Sequence, residues 1–221
     1  MSIADKLTTI AENEQKVYEA GQKAEYDRFW DSFQSYGKLT NYQSVFGGAG
    51  WKDDNFKPKY VPNIKAAALM FRETGIKNIV GLDFSKANDF QYTFYASQVE
   101  YIDEISTISA SRLYQTFDTC TKLKTIGKLI LKADGTQTFT SPFDKCTSLE
   151  NIEIEGVIGN NGFNVSKSKL LTHDSLMSII NHLKDFSGTT ETKTLTLGET
   201  NLNKLTDTEK AIATQKGWTL A

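Results

Sequence analysis

The chain has few of the residues that catalysis and metal binding draw on. Its 221 residues include two cysteines, two histidines and three prolines, and no apolar run nears the roughly 18 residues of a membrane-spanning helix. His173 and His182 are nine positions apart, so on one helix, at roughly 100° per residue, they point to opposite sides and cannot easily share a metal. No Gly-x-Ser-x-Gly, His-Glu-x-x-His or Cys–His arrangement occurs. The adjacent carboxylates Asp53-Asp54 and Asp103-Glu104 read as solvated. The chain is therefore read as non-enzymatic, with no catalytic residue, metal or cofactor to name. A net charge of −2 gives no general attraction to nucleic acid or to an anionic membrane. The stretch Met1–Ile10 has neither the basic start nor the apolar core of a secretory signal, so synthesis in the cytoplasm is expected.

What the chain does have is an internal echo. Hydrophobic residues make up 39% and aromatics 11%, enough for a real core. Phe117, Asp118, Cys120, Thr121, Leu123 and Ile126 recur as Phe143, Asp144, Cys146, Thr147, Leu149 and Ile152, each displaced by 26 residues. Two fainter copies run Phe71-x4-Ile76-x2-Ile79 and Phe94-x4-Val99-x2-Ile102, one residue shorter, with Gly75 and Gln98 near the Cys-Thr place. A fixed period in the 20s marks units that bury their apolar sides against one another. Strands are expected over 76–84, 99–106, 123–131 and 149–158, with a short helix or turn at each Phe segment. In Leu149–Val157 the alternation turns Glu150, Glu153 and Glu155 outward. Cys120 and Cys146 hold equivalent places; they read as small core residues, with a disulfide or half a metal site as the alternative.

The flanks differ in character. Residues 3–36 read as one long helix, with no Pro and only Gly21. Ile3, Leu7, Ile10 and Val17 form a thin seam that predicts a homo-oligomer. Tyr26, Phe29, Trp30, Phe33 and Tyr36 follow as an aromatic face, either folded onto the body or offered to a partner. Gly47-Gly-Ala-Gly50 lacks the Gly-Lys-Ser/Thr ending of a phosphate loop, and residues 37–62 read instead as an N-terminal cap. Residues 63–158 hold the four units. Over 159–221 the expected order is helix, strand, helix, strand, the helices opened by Thr172 and by a Thr206–Glu209 capping box.

The unit Phe-x-x-Cys-Thr-x-Leu-x-x-Ile resembles the BspA-type leucine-rich repeat of surface proteins from gut and oral anaerobes and their prophages. The flanking segments Lys23–Gln34, Phe46–Trp51, Leu171–Ile180 and Lys204–Trp218 resemble prophage-borne repeat proteins of Firmicutes. The expected fold class is accordingly α/β: a leucine-rich-repeat solenoid with a long N-terminal helix and a helix-and-strand C-terminal cap. The resemblance implies a phage or prophage virion component of tail or fibre type, or a host-recognition protein, and supplies no catalytic residue. Lys77, Asn78, Glu100, Tyr101, Lys124, Glu150, Glu153 and Glu155 are the outward strand residues expected to meet a protein or surface-glycan partner. A glycan- or cell-wall-acting hydrolase accessory of a phage particle, or a bacterial surface adhesin, are the alternative readings.

Overall fold

The structure is a computed structural model that describes Asn55–Phe56 and residues 64–221. The strands, in chain order, are β1 (Asn55–Phe56), β2 (Asn78–Ile79), β3 (Tyr101–Ser106), β4 (Arg112–Tyr114), β5 (Thr125–Ile130), β6 (Thr138–Thr140), β7 (Asn151–Glu155), β8 (Lys193–Leu195) and β9 (Trp218–Leu220). The helices are α1 (His173–Asn181), α2 (Glu199–Leu202) and α3 (Asp207–Gln215). Every strand pair is parallel: β1-β2-β3-β5-β7 form one sheet, and β4-β6 and β8-β9 two small ones.

Register shows how the sequence echo is used. Ile79 pairs with Ile102, Ile102 with Ile126 and Ile126 with Ile152, so these four isoleucines line up across the sheet and point inward, all at most 2% exposed. Beneath them the rings of Phe71, Phe94, Phe117 and Phe143 stack in a column, with centroids 5.2, 5.4 and 5.4 Å apart and planes within 6° of parallel. Each buried ring contributes about 1.5–3 kcal/mol of transfer free energy. The register of the two shorter units is also resolved. Thr74 and Ser97, not Gly75 and Gln98, stand three residues after their Phe, as Cys120 and Cys146 do. The missing residue falls after that place, where Ile76 and Val99 come one position sooner than Leu123 and Leu149.

The expected α/β leucine-rich-repeat solenoid is corrected. The described residues form a small set of parallel sheets with three short helices, all beyond Thr172. The long helix expected over 3–36 lies outside the described residues, as do Ile3, Leu7, Ile10 and Val17. The Phe segments are turns because of where their N–H groups go. An α-helix would direct each N–H to the carbonyl four residues back. Here the N–H groups of Leu69, Phe71 and Glu73 donate to Gln91, Thr93 and Tyr95 O of the next coil, at 2.9, 2.7 and 2.8 Å. Tyr92, Phe94 and Ala96 repeat the pattern onto Tyr114, Thr116 and Asp118 O. Aiming these groups sideways requires left-handed backbone at matched places, with φ between 46° and 62° at Leu69, Tyr92, Gln115 and Ser141 and at Glu73, Ala96, Thr119 and Lys145.

After β7 the chain closes the sheet edge. Thr172 caps α1, its side chain accepting from Ser175 N–H, and Leu176, Ile179 and Ile180 are buried. From that helix Ser175 Oγ accepts the Ile152 N–H at 3.0 Å and Ser178 Oγ the Ile154 N–H at 2.8 Å. Edge donors that would otherwise invite another strand are thus occupied by side chains. The Thr206–Glu209 capping box is present at α3, and Trp218 Nε1 donates to Lys184 O at 2.8 Å.

Candidate binding face

The pleat that sends the isoleucines inward presents the intervening side chains of β2, β3, β5 and β7 to solvent. Along one edge of that face, backbone hydrogen bonds link four charged residues in series. Glu100 N–H donates to Lys77 O at 2.7 Å, Lys124 N–H to Glu100 O at 2.9 Å, and Glu150 N–H to Lys124 O at 2.9 Å. The side chains therefore alternate in sign: Lys77, Glu100, Lys124, Glu150. Lys124 Nζ meets Glu100 Oε2 at 2.9 Å. This hydrogen bond holds the Lys124 ammonium above and the Glu100 carboxyl below their ordinary values, the charge attraction adding to both. Both groups are solvated, so the pair orients side chains more than it stabilises the fold.

The next rung is polar and uncharged. Asn78 pairs with Tyr101, Tyr101 with Thr125, and Thr125 with Asn151. Tyr101 is 39% exposed, an aromatic set among amides and hydroxyls. Beyond it β5 carries two outward residues, Gly127 and Lys128, where β7 carries only Glu153, and the register shifts there. A side chain at Gly127 would collide with the Asp103 carbonyl oxygen, so close strand approach demands glycine. Lys128 Nζ lies 3.4 Å from Glu155 Oε2. Glu150 and Glu153 are exposed, and no lysine or arginine among the described residues pairs with either. The face ends against α1 in a groove of about 320 Å³ whose lining includes Asn151, Glu153, Thr172, Asp174 and Ser178.

All eight residues expected to meet a partner thus lie on or at the start of one sheet face. They are not equivalent. Lys77, Asn78 and Glu100 are half-buried, whereas Tyr101, Lys124, Glu150, Glu153 and Glu155 are exposed. The face runs from mixed charge at β2 and β3 to an acidic end at β7 and α1. That end includes Asp174, a residue whose place beside the strands comes from the packing of α1 and not from any strand pattern.

Other chemistry-bearing groups have structural partners. The Cys120 thiol donates to Phe94 O at 2.8 Å and the Cys146 thiol to Phe117 O at 3.0 Å, and both cysteines are free and buried. Burial pushes the Cys120 thiol up to about 12 and the Cys146 thiol well above its usual range. His173 Nε2 lies 2.8 Å from Glu209 Oε1, and Glu209 also closes the α3 capping box. His182 Nδ1 donates to Ser178 O at 2.8 Å. Asp103 accepts from the Gly81 and Glu104 N–H groups, and buried Asp118 from the Gln115 amide and the Thr119 hydroxyl. Among the described residues no group of three or more His, Cys, Asp or Glu side chains is placed to hold a metal, and no helix is long and apolar enough to cross a membrane.

A second cluster escaped the sequence reading. Tyr92, Tyr95 and Tyr114 come together on the turn segments, flanked by Arg72 and Arg112. The signal was Tyr-x-x-Tyr at 92–95 with a third tyrosine 22 residues beyond Tyr92, which is legible only once the coil length is known.

Compared with family models, curated proteins and solved structures, the chain matches none.

Proposed function

We propose that this chain is a non-enzymatic binding and structural module that offers the outer face of β2, β3, β5 and β7 to a protein or surface-glycan partner. The observation that carries this reading is the face itself. Its inward residues are committed to the core, while its outward residues form a largely polar strip ending beside the α1 groove at Glu150 and Glu153, with which no lysine or arginine among the described residues forms an ion pair. Unpaired acids of this kind speed association with a basic partner surface and help select it.

The resemblance of the flanks and units to prophage-borne proteins with BspA-type repeats supports a place on a phage particle, of tail or fibre type, or in recognition of a host surface. The N-terminal seam Ile3, Leu7, Ile10 and Val17 would hold copies together, so that several faces act at once.

The test is binding of the fluorescently labelled full chain to whole bacterial cells, comparing the native protein with Glu150→Lys/Glu153→Lys/Glu155→Lys. Loss of binding with unchanged thermal unfolding supports the reading. Equal binding by both proteins contradicts it.

A further inference from the structure

The turn segments carry a feature that folding alone does not require. Leu69, Tyr92, Gln115 and Ser141 occupy one place in successive coils, with φ of 59°, 55°, 46° and 46°. Left-handed backbone is unfavourable for any side chain and most so for a bulky one. The fold accepts Leu, Gln or Ser here, so the tyrosine is not demanded by the turn. Nor is Tyr92 a core residue, since it is half-buried at the surface. Its ring meets that of Tyr95 at 5.5 Å and 82°, and that of Tyr114 at 5.2 Å and 78°. The Arg72 guanidinium lies 5.6 Å from the Tyr95 ring centre, and the Arg112 guanidinium 5.8 Å from that of Tyr114. The three gathered surface aromatics, and not the left-handed backbone that every unit shares, set this place apart.

Two of these rings, Tyr92 and Tyr95, border a groove of about 470 Å³ whose lining also includes Ala68, Arg72, Asp89 and Gln91. That volume falls within the roughly 300–1,000 Å³ of small-molecule sites. Its charges decide the class of ligand. Arg72 is held by Glu73, with Nη2 at 2.8 Å and Nε at 3.0 Å from Oε1, so its positive charge is offset locally. Asp89 adds a negative charge; its Oδ1 accepts the Gln91 N–H at 3.0 Å, and its Oδ2 takes no partner among the described residues. Such a groove does not attract phosphate or nucleic acid, which need net positive charge. It calls for a ligand with a flat apolar face, donors for Asp89, and groups that both donate and accept for Gln91 and Arg72. A pyranose fits, with its C–H face on an aromatic ring and rim hydroxyls that each donate and accept. A proline-rich peptide would supply the apolar face, but it has few donors and would leave Asp89 unanswered.

We propose that this groove is a saccharide-binding site that seats a neutral pyranose ring against Tyr92, its hydroxyls bonded to Asp89, Gln91 and the Arg72 guanidinium. The site shares no residue with the β2–β7 face and goes beyond the reading above: either surface can bind without the other.

The experiment is saturation-transfer NMR on the full chain with a panel of neutral disaccharides (glucosyl, galactosyl, mannosyl and N-acetylglucosaminyl), with a proline-rich peptide and inorganic phosphate as separate arms. At least one disaccharide should receive saturation on its ring protons. Tyr92→Leu, which places at this position the residue that Leu69 already supplies one coil earlier, and Asp89→Asn should each weaken that binding by about tenfold or more. Glu150→Lys/Glu153→Lys should leave it unchanged, which separates this site from the sheet face. The proposal is overturned if no disaccharide binds at up to about 10 mM, the weak end of single-site affinity. It is equally overturned if Tyr92→Leu binds as the native chain does, or if transfer goes to the peptide or phosphate instead.

Discussion

Phe117 and Phe143 lie 26 residues apart in the chain, yet their ring centroids are 5.4 Å apart and their planes only 3° from parallel. Backbone hydrogen bonding fixes the spacing, since Phe117 N–H donates to Pro142 O at 2.9 Å and so sets one coil on the next. Phe117 also stacks on Phe94 and has no solvent exposure. Phe117→Ala should therefore cost about 3–5 kcal/mol, because the void falls between two rings that backbone bonds hold apart. Phe117→Leu should cost less than the alanine. Urea unfolding of both variants checks the order, and equal losses would argue against a rigid column.

The two buried thiols predict a pH dependence. Their folded-state pKa values are raised, Cys120 to about 12, so both remain neutral in the native protein while an unfolded thiol ionises near 8.5. Their contribution is fully present below that unfolded value and is lost as pH rises towards 12. Stability should fall above about pH 8.5 by up to roughly 1.4 kcal/mol per unit for each thiol. Unfolding midpoints between pH 7 and 10 would show the slope, and Cys120→Ser/Cys146→Ser should flatten it. In the folded state neither thiol should react with iodoacetamide over that range.

Gly127→Ala tests the approach of β5 to β3. The added methyl would meet the Asp103 carbonyl oxygen, a backbone atom that cannot swing aside. A loss of about 1–3 kcal/mol is expected, typical of overpacking. Gly188, with open space around its would-be Cβ, is the control position, and Gly188→Ala should change stability far less.

The proposed oligomerisation would rest on residues outside the described ones. Light scattering should give the full chain a mass several times that of one copy, and a chain beginning at residue 37 the mass of one. Equal monomer masses for both would exclude the seam of Ile3, Leu7, Ile10 and Val17.

Residues that repeat with the coil were readable from the sequence because each sits in a column of its own kind. Phe71, Phe94, Phe117 and Phe143 stack, and Ile79, Ile102, Ile126 and Ile152 pair. Thr172 and Thr206 were readable as helix caps because capping is local. The turns were harder to foresee. Phe71 N–H has its partner at Thr93, and whether a segment becomes helix or turn depends on a carbonyl one coil away. The same distance hid the Tyr92–Tyr114 contact and the reach of Ser175 and Ser178 onto β7. The outward strand residues were visible from alternation, but Asp174 joined their acidic end only through the packing of α1.

The most direct test is a titration of whole bacterial cells with labelled full chain, native against Glu150→Lys/Glu153→Lys/Glu155→Lys. If the face of β2, β3, β5 and β7 is the binding surface, the variant should bind at least about tenfold more weakly while unfolding at the same temperature. Identical binding curves for two equally folded proteins would contradict it.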